Sequence, residues 1–359
     1  MKIKTVKLQE MLVKVIKGAG NNKLIPLTSM LRITVDNGLL ELTTTDGTNY
    51  LIVRTMSDID DNLYAVVNAE QFSKLVSKLN TEFVELEVSN KTLHISTESG
   101  SYTMDLQFDE SGDVVKFPNI VIEGDMYSSL KASSIQSLSN ICKASLATTL
   151  EVPVYTGYYL SGRAVATDGY KITELSIPFF DKPVLLSSTL VDLLTLFTDE
   201  EIKVALDSKS GRIMFSSDNM VIKGMLMPDI EEFRIDAISP LLNQSYDGGC
   251  KVNKTDLLAA LDRISLFIGM YDDSAIRLLF TEDGLIVESK TSTGVEKVDY
   301  AESRETLQYS CLINAYMLID QVKCYPEEVI SIGYGLDNAI QLKGSNSIQV
   351  IALLEDRAL

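Results

Sequence analysis

Val165–Leu175 reads VATDGYKITEL, and Thr43–Leu51 reads TTTDGTNYL; their Thr-Asp-Gly triplets begin at Thr167 and Thr45, 122 residues apart. In both, the triplet stands between short apolar runs. A glycine there can take positive φ, and the aspartate can bond the backbone of its own turn, so each segment predicts a tight turn between two strands. The recurrence of so small a turn at about one third of a 359-residue chain makes internal repetition the first thing to test.

The surroundings recur as well. Asn68–Leu79 carries Phe72, Leu75, Val76 and Leu79 at helical spacing, with Asn68 placed as N-cap. It follows the apolar run YAVV and leads into FVELEVSNKTLHIS, an alternating hairpin, and then the strand SYTMDLQF. Pro183–Phe197 and Ser310–Val322 repeat that order of apolar run, cap and helix, and each is followed by a hairpin and a further strand. The helix starts at Asn68, Ser187 and Asn314 lie 119 and 127 residues apart. Earlier in each third comes another helix (Val6–Ile16, Ala132–Ala144, Asn253–Ile264) and a two-stranded segment. The unit is therefore helix, hairpin, helix, hairpin, used three times. The Pro, Gly and charge clusters at Asp109–Asp125 and Pro228–Gly249 read as linkers.

Composition narrows the function classes. Fifty acidic against 32 basic residues give a formal charge of −18, which argues against nucleic-acid binding through the outer surface. Cys142, Cys250, Cys311 and Cys324 have no C-x-x-C spacing and read as buried thiols in a reducing compartment. With His94 as the single histidine, neither a zinc site nor acid–base catalysis has much to build on. Asp58, Asp60 and Asn62 start like a calcium loop, but Leu63 and Ala69 stand where that loop needs glycine and glutamate. No P-loop or Rossmann glycine pattern appears, and no apolar stretch is long enough for a membrane span. The expectation is a cytoplasmic protein with no membrane association.

The triplicated unit, the Ala166-Thr167-Asp168-Gly169 turn, the linker MPDIEEF (Met227–Phe233) and an apolar strand close to the C-terminus together resemble the bacterial sliding clamp family, the beta subunit of DNA polymerase III. The resemblance implies an α+β fold of three clamp domains, 1–122, 123–245 and 246–359, each with two helices packed on antiparallel sheet. It also implies a ring made by a head-to-tail homodimer, without enzymatic activity, cofactor or metal. Such a ring encircles double-stranded DNA regardless of sequence, tethers the replicative DNA polymerase and has a clamp loader as a further partner. A triplicated protein-binding scaffold that never encloses DNA is the alternative.

A ring around DNA needs positive charge only on its inner wall, where the helices would lie. Residues 1–35 hold Lys2, Lys4, Lys7, Lys14, Lys17, Lys23 and Arg32 against Glu10; Gln71–Thr81 holds Lys74 and Lys78 with no acid; Lys131 and Lys143 stand in another acid-free window. In the third copy Lys254 and Arg263 are mixed with Asp256 and Asp262. DNA contact is expected from Lys14, Lys17, Lys23, Lys74, Lys78, Lys131, Lys143, Lys254 and Arg263, mostly in copies one and two.

The resemblance further implies that the second-copy turn lines a pocket for a short apolar peptide from the polymerase or loader. Thr167, Gly169, Tyr170, Lys171 and Ile172 would form one wall and Tyr155 would sit opposite. Pro228, Glu232 and Phe233 would come from the linker, and Leu354 and Asp356 from the C-terminal segment. Where the family usually carries basic residues near this pocket, this chain has Glu231, Glu232, Glu355 and Asp356, so an acidic rim is expected. For the head-to-tail joint the resemblance points to Tyr102, Met104 and Leu106 meeting Leu266 and Phe267. One enzymatic pattern competes: Ser128-x-x-Lys131, Ser217-Asp218-Asn219 and Lys290 to Gly294 stand in the motif order of penicillin-recognising serine enzymes. The last motif is interrupted and the middle one falls in a predicted hairpin turn.

Overall fold

A computed structural model describes residues 1–56, 62–124, 126–198, 201–269, 274–290, 293–302 and 307–355. Asp58, Asp60 and Asp356 lie outside them. The chain forms two compact units, 1–135 with 189–226 and 136–188 with 227–359.

The first copy runs β1 (Lys2–Lys4), α1 (Thr5–Val15), β2 (Met30–Asp36), β3 (Leu39–Thr45), β4 (Tyr50–Met56), β5 (Leu63–Asn68), α2 (Ala69–Ser77), β6 (Phe83–Ser89), β7 (Thr92–Ser96) and β8 (Ser101–Asp105). The second runs β9 (Met126–Leu130), α3 (Ala132–Cys142), β10 (Gly157–Leu160), β11 (Ala164–Thr167), β12 (Lys171–Leu175), β13 (Val184–Ser187), α4 (Ser188–Leu194), β14 (Ile202–Asp207), β15 (Arg212–Ser216) and β16 (Met220–Met225). After α5 (Ile235–Leu242), the third runs β17 (Gly248–Asn253), α6 (Lys254–Ser265), β18 (Ala275–Phe280), β19 (Leu285–Ser289), β20 (Val295–Val298), the short β21 (Tyr300–Glu302), β22 (Tyr309–Asn314), α7 (Ala315–Cys324), β23 (Val329–Tyr334), β24 (Ala339–Lys343) and β25 (Ser347–Ala352).

Each copy is thus two strand–helix–three-strand halves, with the short β21 added in the third, so the two-stranded segments expected from sequence have at least three strands. The Thr-Asp-Gly turn is the reason: it makes a second hairpin, joining β3 to β4 and β11 to β12. The strand entering each helix pairs with the opposite half of its own copy. β1 pairs with β6 and β5 with β2; β9 pairs with β14 and β13 with β10; β17 pairs with β23 and β22 with β18. Sheets also continue across the copy borders: β4 pairs with β16, and β12 with β25, both antiparallel.

The helices sit on these sheets through one apolar stripe each. α1 buries Leu8, Met11, Leu12 and Val15; α2 buries Phe72 and Val76; α6 buries Leu257, Leu261 and Ile264. Each fully buried large aliphatic or aromatic side chain contributes about 1.5–3 kcal/mol, which holds helices whose caps are otherwise modest. Two N-caps are formed: Asn68 Oδ1 accepts from the Gln71 amide at 2.9 Å, and Asn314 Oδ1 accepts from that of Met317 at 3.1 Å. The helix expected to run to Phe197 ends at Leu194.

The segment expected to be a second linker is more ordered than that label implies. Ile230–Phe233 makes a 3₁₀ turn flanked by Asp229 and Arg234 at φ 57° and 51°, and α5 comes next with Ile238 and Leu242 buried. Pro240, inside α5, disguises its apolar spacing, because an internal proline normally argues against a helix.

Candidate functional site

The Thr-Asp-Gly turn has the same hydrogen bonds in the first and second copies. Thr167 Oγ1 donates to the Lys171 carbonyl at 2.7 Å and accepts from the Gly169 amide at 3.0 Å. Thr45 does the same with Asn49 and Gly47 at 2.7 and 3.0 Å. Asp168 Oδ1 accepts from the amides of Tyr170 and Lys171, and Asp46 Oδ1 from those of Thr48 and Asn49. Gly169 and Gly47 take φ of 93° and 100°, where a side chain would be strained. The third copy builds its turn differently: the Ser289 hydroxyl accepts from the amides of Thr293 and Gly294, both at 3.1 Å.

The second copy is set apart by the residue after its glycine. Tyr170 is 65% exposed and lines a cavity of about 360 Å3 with Leu312, Met317, Leu353 and Leu354. Backbone bonds hold this wall together: the Ala352 amide donates to the Tyr170 carbonyl and the Leu354 amide to the Leu312 carbonyl, each at 2.9 Å. An apolar cavity of this size, gated by an exposed tyrosine, suits one or two buried side chains of a peptide.

The residues expected to share one pocket are dispersed. Tyr170 and Leu354 line the cavity. Tyr155, Ile172 and Phe233 form a separate closed cluster in which Phe233 is fully buried, edge-on to Tyr155 at 5.6 Å and stacked on Tyr159 at 5.2 Å. Thr167 and Lys171 are turned inward: the Lys171 ammonium donates to the Ala144 carbonyl at 2.7 Å and lies 3.3 Å from Asp168 Oδ2. Pro228 and Glu232 are exposed, and Gly169 serves the backbone. Leu312, Met317, Leu353 and Lys290 also line the cavity and are absent from the sequence-based expectation. Their place there depends on the bridge between Leu312 and Leu354, a pairing across the third copy that period-two alternation cannot reveal. The lining carries Lys290 beside Glu355, so the rim is less uniformly acidic than the sequence implied.

The basic residues are also sorted by the structure. Lys17, Lys23, Lys78, Lys131 and Lys143 are exposed and Lys14 is half-buried. Lys74 pairs with Glu70 one turn earlier, Lys254 donates to the Tyr325 carbonyl at 2.6 Å, and Arg263 forks onto Glu296 at 2.6 and 3.0 Å. Two of those three committed cations belong to the third copy, which leaves it the smallest share of charge for a polyanion.

At the expected joint, Met104 and Leu106 are buried at 5% and 4% exposure within the chain's own core, whereas Tyr102, Leu266 and Phe267 are 39%, 81% and 50% exposed. β8 lies at the edge of the sheet β1-β6-β7-β8, and β20 at the edge of β20-β19-β18-β22. His94, on β7, meets only Thr92 Oγ1 among its described hydrogen bonds, at 3.0 Å. Ser217–Asn219 is the β15–β16 turn, with the carbonyls of Ser217 and Asp218 taken by the Arg54 guanidinium at 3.0 Å. Among the described residues no cluster of metal-ligating side chains and no helix long and apolar enough to cross a membrane is present.

Residues 1–115 match the family model of the DNA polymerase III beta subunit, N-terminal domain. No curated protein matches the chain. Among solved structures, the beta subunit of the DNA polymerase of Streptococcus pyogenes matches with a TM-score of 0.86 at 18% identity, and the DNA polymerase III beta chain of Streptococcus pneumoniae with 0.84 at 16%; each match covers 99% of both chains. The DNA polymerase sliding clamp of Pseudomonas aeruginosa matches with 0.83 at 17% over the same share. Over its whole length the chain therefore has the fold of the bacterial sliding clamps, and its residues 1–115 are similar to the N-terminal domain of the DNA polymerase III beta subunit.

Proposed function

We propose that the protein is a DNA polymerase processivity factor: a sliding clamp of three domains, 1–122, 123–245 and 246–359, that closes into a ring as a head-to-tail homodimer around duplex DNA. One regularity of the sheets carries the reading. At each border inside the chain, the third strand after the first helix of a copy pairs with the last strand of the next copy's second half, as β4 does with β16 and β12 with β25. The same rule applied to the third copy pairs β20 with β8 of a second chain. Two joints of that kind close a ring of six domains, a heterologous contact that terminates because the rotation closes. Exposed Tyr102, Leu266 and Phe267 would cover the joint, while Met104 and Leu106 brace β8 from inside.

Grip on DNA then comes from enclosure, with Lys14, Lys17, Lys23, Lys78, Lys131 and Lys143 supplying sequence-independent phosphate contact and a net charge of −18 kept to other surfaces. The cavity behind Tyr170 anchors an apolar residue of the replicative polymerase or the clamp loader, and no catalytic step is required of the chain. The lining itself balances Glu355 against Lys290, and the exposed Glu231 and Glu232 stand outside it; the charge preference is therefore assigned to the flanks of the peptide, where basic flanks should bind more tightly than acidic ones, with a difference that shrinks in salt. Equal affinities in a fluorescence titration would remove that charge assignment.

The deciding experiment combines solution mass, electron-microscope class averages and loader-dependent polymerase extension on primed circles. Dimeric rings and stimulated long extension are expected. Open crescents with no stimulation would instead favour a protein-binding scaffold. Changing Lys14, Lys17, Lys74 and Lys78 to Glu should shorten retention on circular DNA and flatten its salt dependence, with Lys74 contributing least because Glu70 already holds it.

A further inference from the structure

On the face of the eight-stranded sheet that carries Arg32, Thr43, Ile52 and Lys223, the segment Phe117–Ile120 between copies one and two lies across the strands and closes a cavity of about 30 Å3. Register sets the lining: Arg32 on β2 stands opposite Thr43 on β3, and Tyr50 on β4 opposite Lys223 on β16. The Arg32 guanidinium lies 5.6 Å from the centre of the Phe117 ring and donates through Nη2 to Thr43 Oγ1 at 2.9 Å, while its buried Nε has no partner within the protein. The Lys223 ammonium uses one proton on the Ile120 carbonyl at 2.7 Å.

What remains is a surplus of donors. Lys223 retains two N–H groups, Arg32 retains others, and Thr43, having accepted from Arg32, still has its hydroxyl proton to give. Tyr50 brings another hydroxyl. Two cations share the space, and burial together with the nearby Arg32 charge pulls the Lys223 amine below its usual range, partly offset by Glu41. A water would satisfy one or two of these donors but none of the charge. The volume, close to one water's share of the liquid, admits a single-atom ion and is too small for a tetrahedral oxyanion.

We propose that this cavity binds one chloride-sized monovalent anion, which pins the first inter-copy linker to the sheet beneath it. The site is separate from the Tyr170 cavity and does not depend on the clamp reading. The ion neutralises Arg32 and Lys223 at a point where linker and sheet must stay in contact.

The test uses the full chain. Crystals soaked in bromide should give an anomalous peak between the Arg32 guanidinium and the Lys223 ammonium. In solution, replacing gluconate by chloride at constant ionic strength should raise the melting temperature saturably and broaden the chloride NMR line. Both effects should be lost in Lys223→Gln, and in Thr43→Val, which keeps side-chain shape and both cations. Absence of the bromide peak, or a chloride effect of the same size in both variants, would leave only a bound water and overturn the proposal.

Discussion

Asp168 divides its carboxylate between two tasks: Oδ1 takes the amides of Tyr170 and Lys171, and Oδ2 faces the Lys171 ammonium at 3.3 Å. Replacing it with Ala should cost about 1–3 kcal/mol in urea unfolding, because charge-assisted bonds are lost and a nearly buried amine keeps only its carbonyl partner. Asp46→Ala should cost a similar amount, yet only Asp168→Ala should weaken peptide binding, since the residue after its glycine, Tyr170, lines the cavity. Phe233→Ala, by emptying the centre of an aromatic cluster, should cost about 3–5 kcal/mol. At this scale the sequence is most readable where chemistry is local. The Asn68 cap and the Thr-Asp-Gly bonds come from residue type and spacing alone, whereas nothing near Lys171 says that its ammonium turns toward Ala144.

Among elements, periodicity identifies all six of the repeat's helices to within a few residues, because an apolar stripe at 3.6 spacing is a property of one segment. The entry strands β1, β9 and β17 escape it. They are short, and what makes them strands is a partner about 80 residues away, as in the pairing of Ile3 with Val84. The third strand of each first half is hidden for a related reason: its turn is local and visible, but its pairing is not. Inside the second unit, Ser145, Thr173 and Gln321, all fully buried, form a closed triangle of hydrogen bonds at 2.6, 3.1 and 2.8 Å that joins the 3₁₀ turn after α3, strand β12 and α7. Thr173→Val should cost about 1–3 kcal/mol by leaving two buried groups short of partners. A double-mutant cycle with Gln321→Leu should show strong coupling, and additive losses would argue that the triangle is not cooperative.

For the whole molecule, edges and protonation set the expectations. The Leu106 amide bonds back to the Lys91 carbonyl, so by period two the Thr103 amide points away from β7. Thr103→Pro should therefore spare the sheet and abolish the proposed head-to-tail dimer, read as monomer mass with an unchanged far-UV circular dichroism spectrum. The thiols of Cys250 and Cys311, in the third copy's core, are pushed up to about 12 by burial. In the unfolded chain they ionise near about 8.5, so above that pH the unfolded state holds fewer protons and stability must fall as pH rises toward 12. Cys250→Ala with Cys311→Ala should flatten that alkaline decline in denaturant titrations. The threefold plan is legible at this scale because it is written as repetition. Which cavity stays open is not, since it depends on where a C-terminal segment and β22 meet.

The ladder between β4 and β16 also bears on what proteolysis would do. A protease that nicks the chain once near Lys116 would sever the peptide but none of the four residue pairings from Tyr50–Lys223 to Val53–Met220. The two fragments should elute together under native conditions and part only in denaturant, so an intact elution profile would be a poor guide to an intact polypeptide.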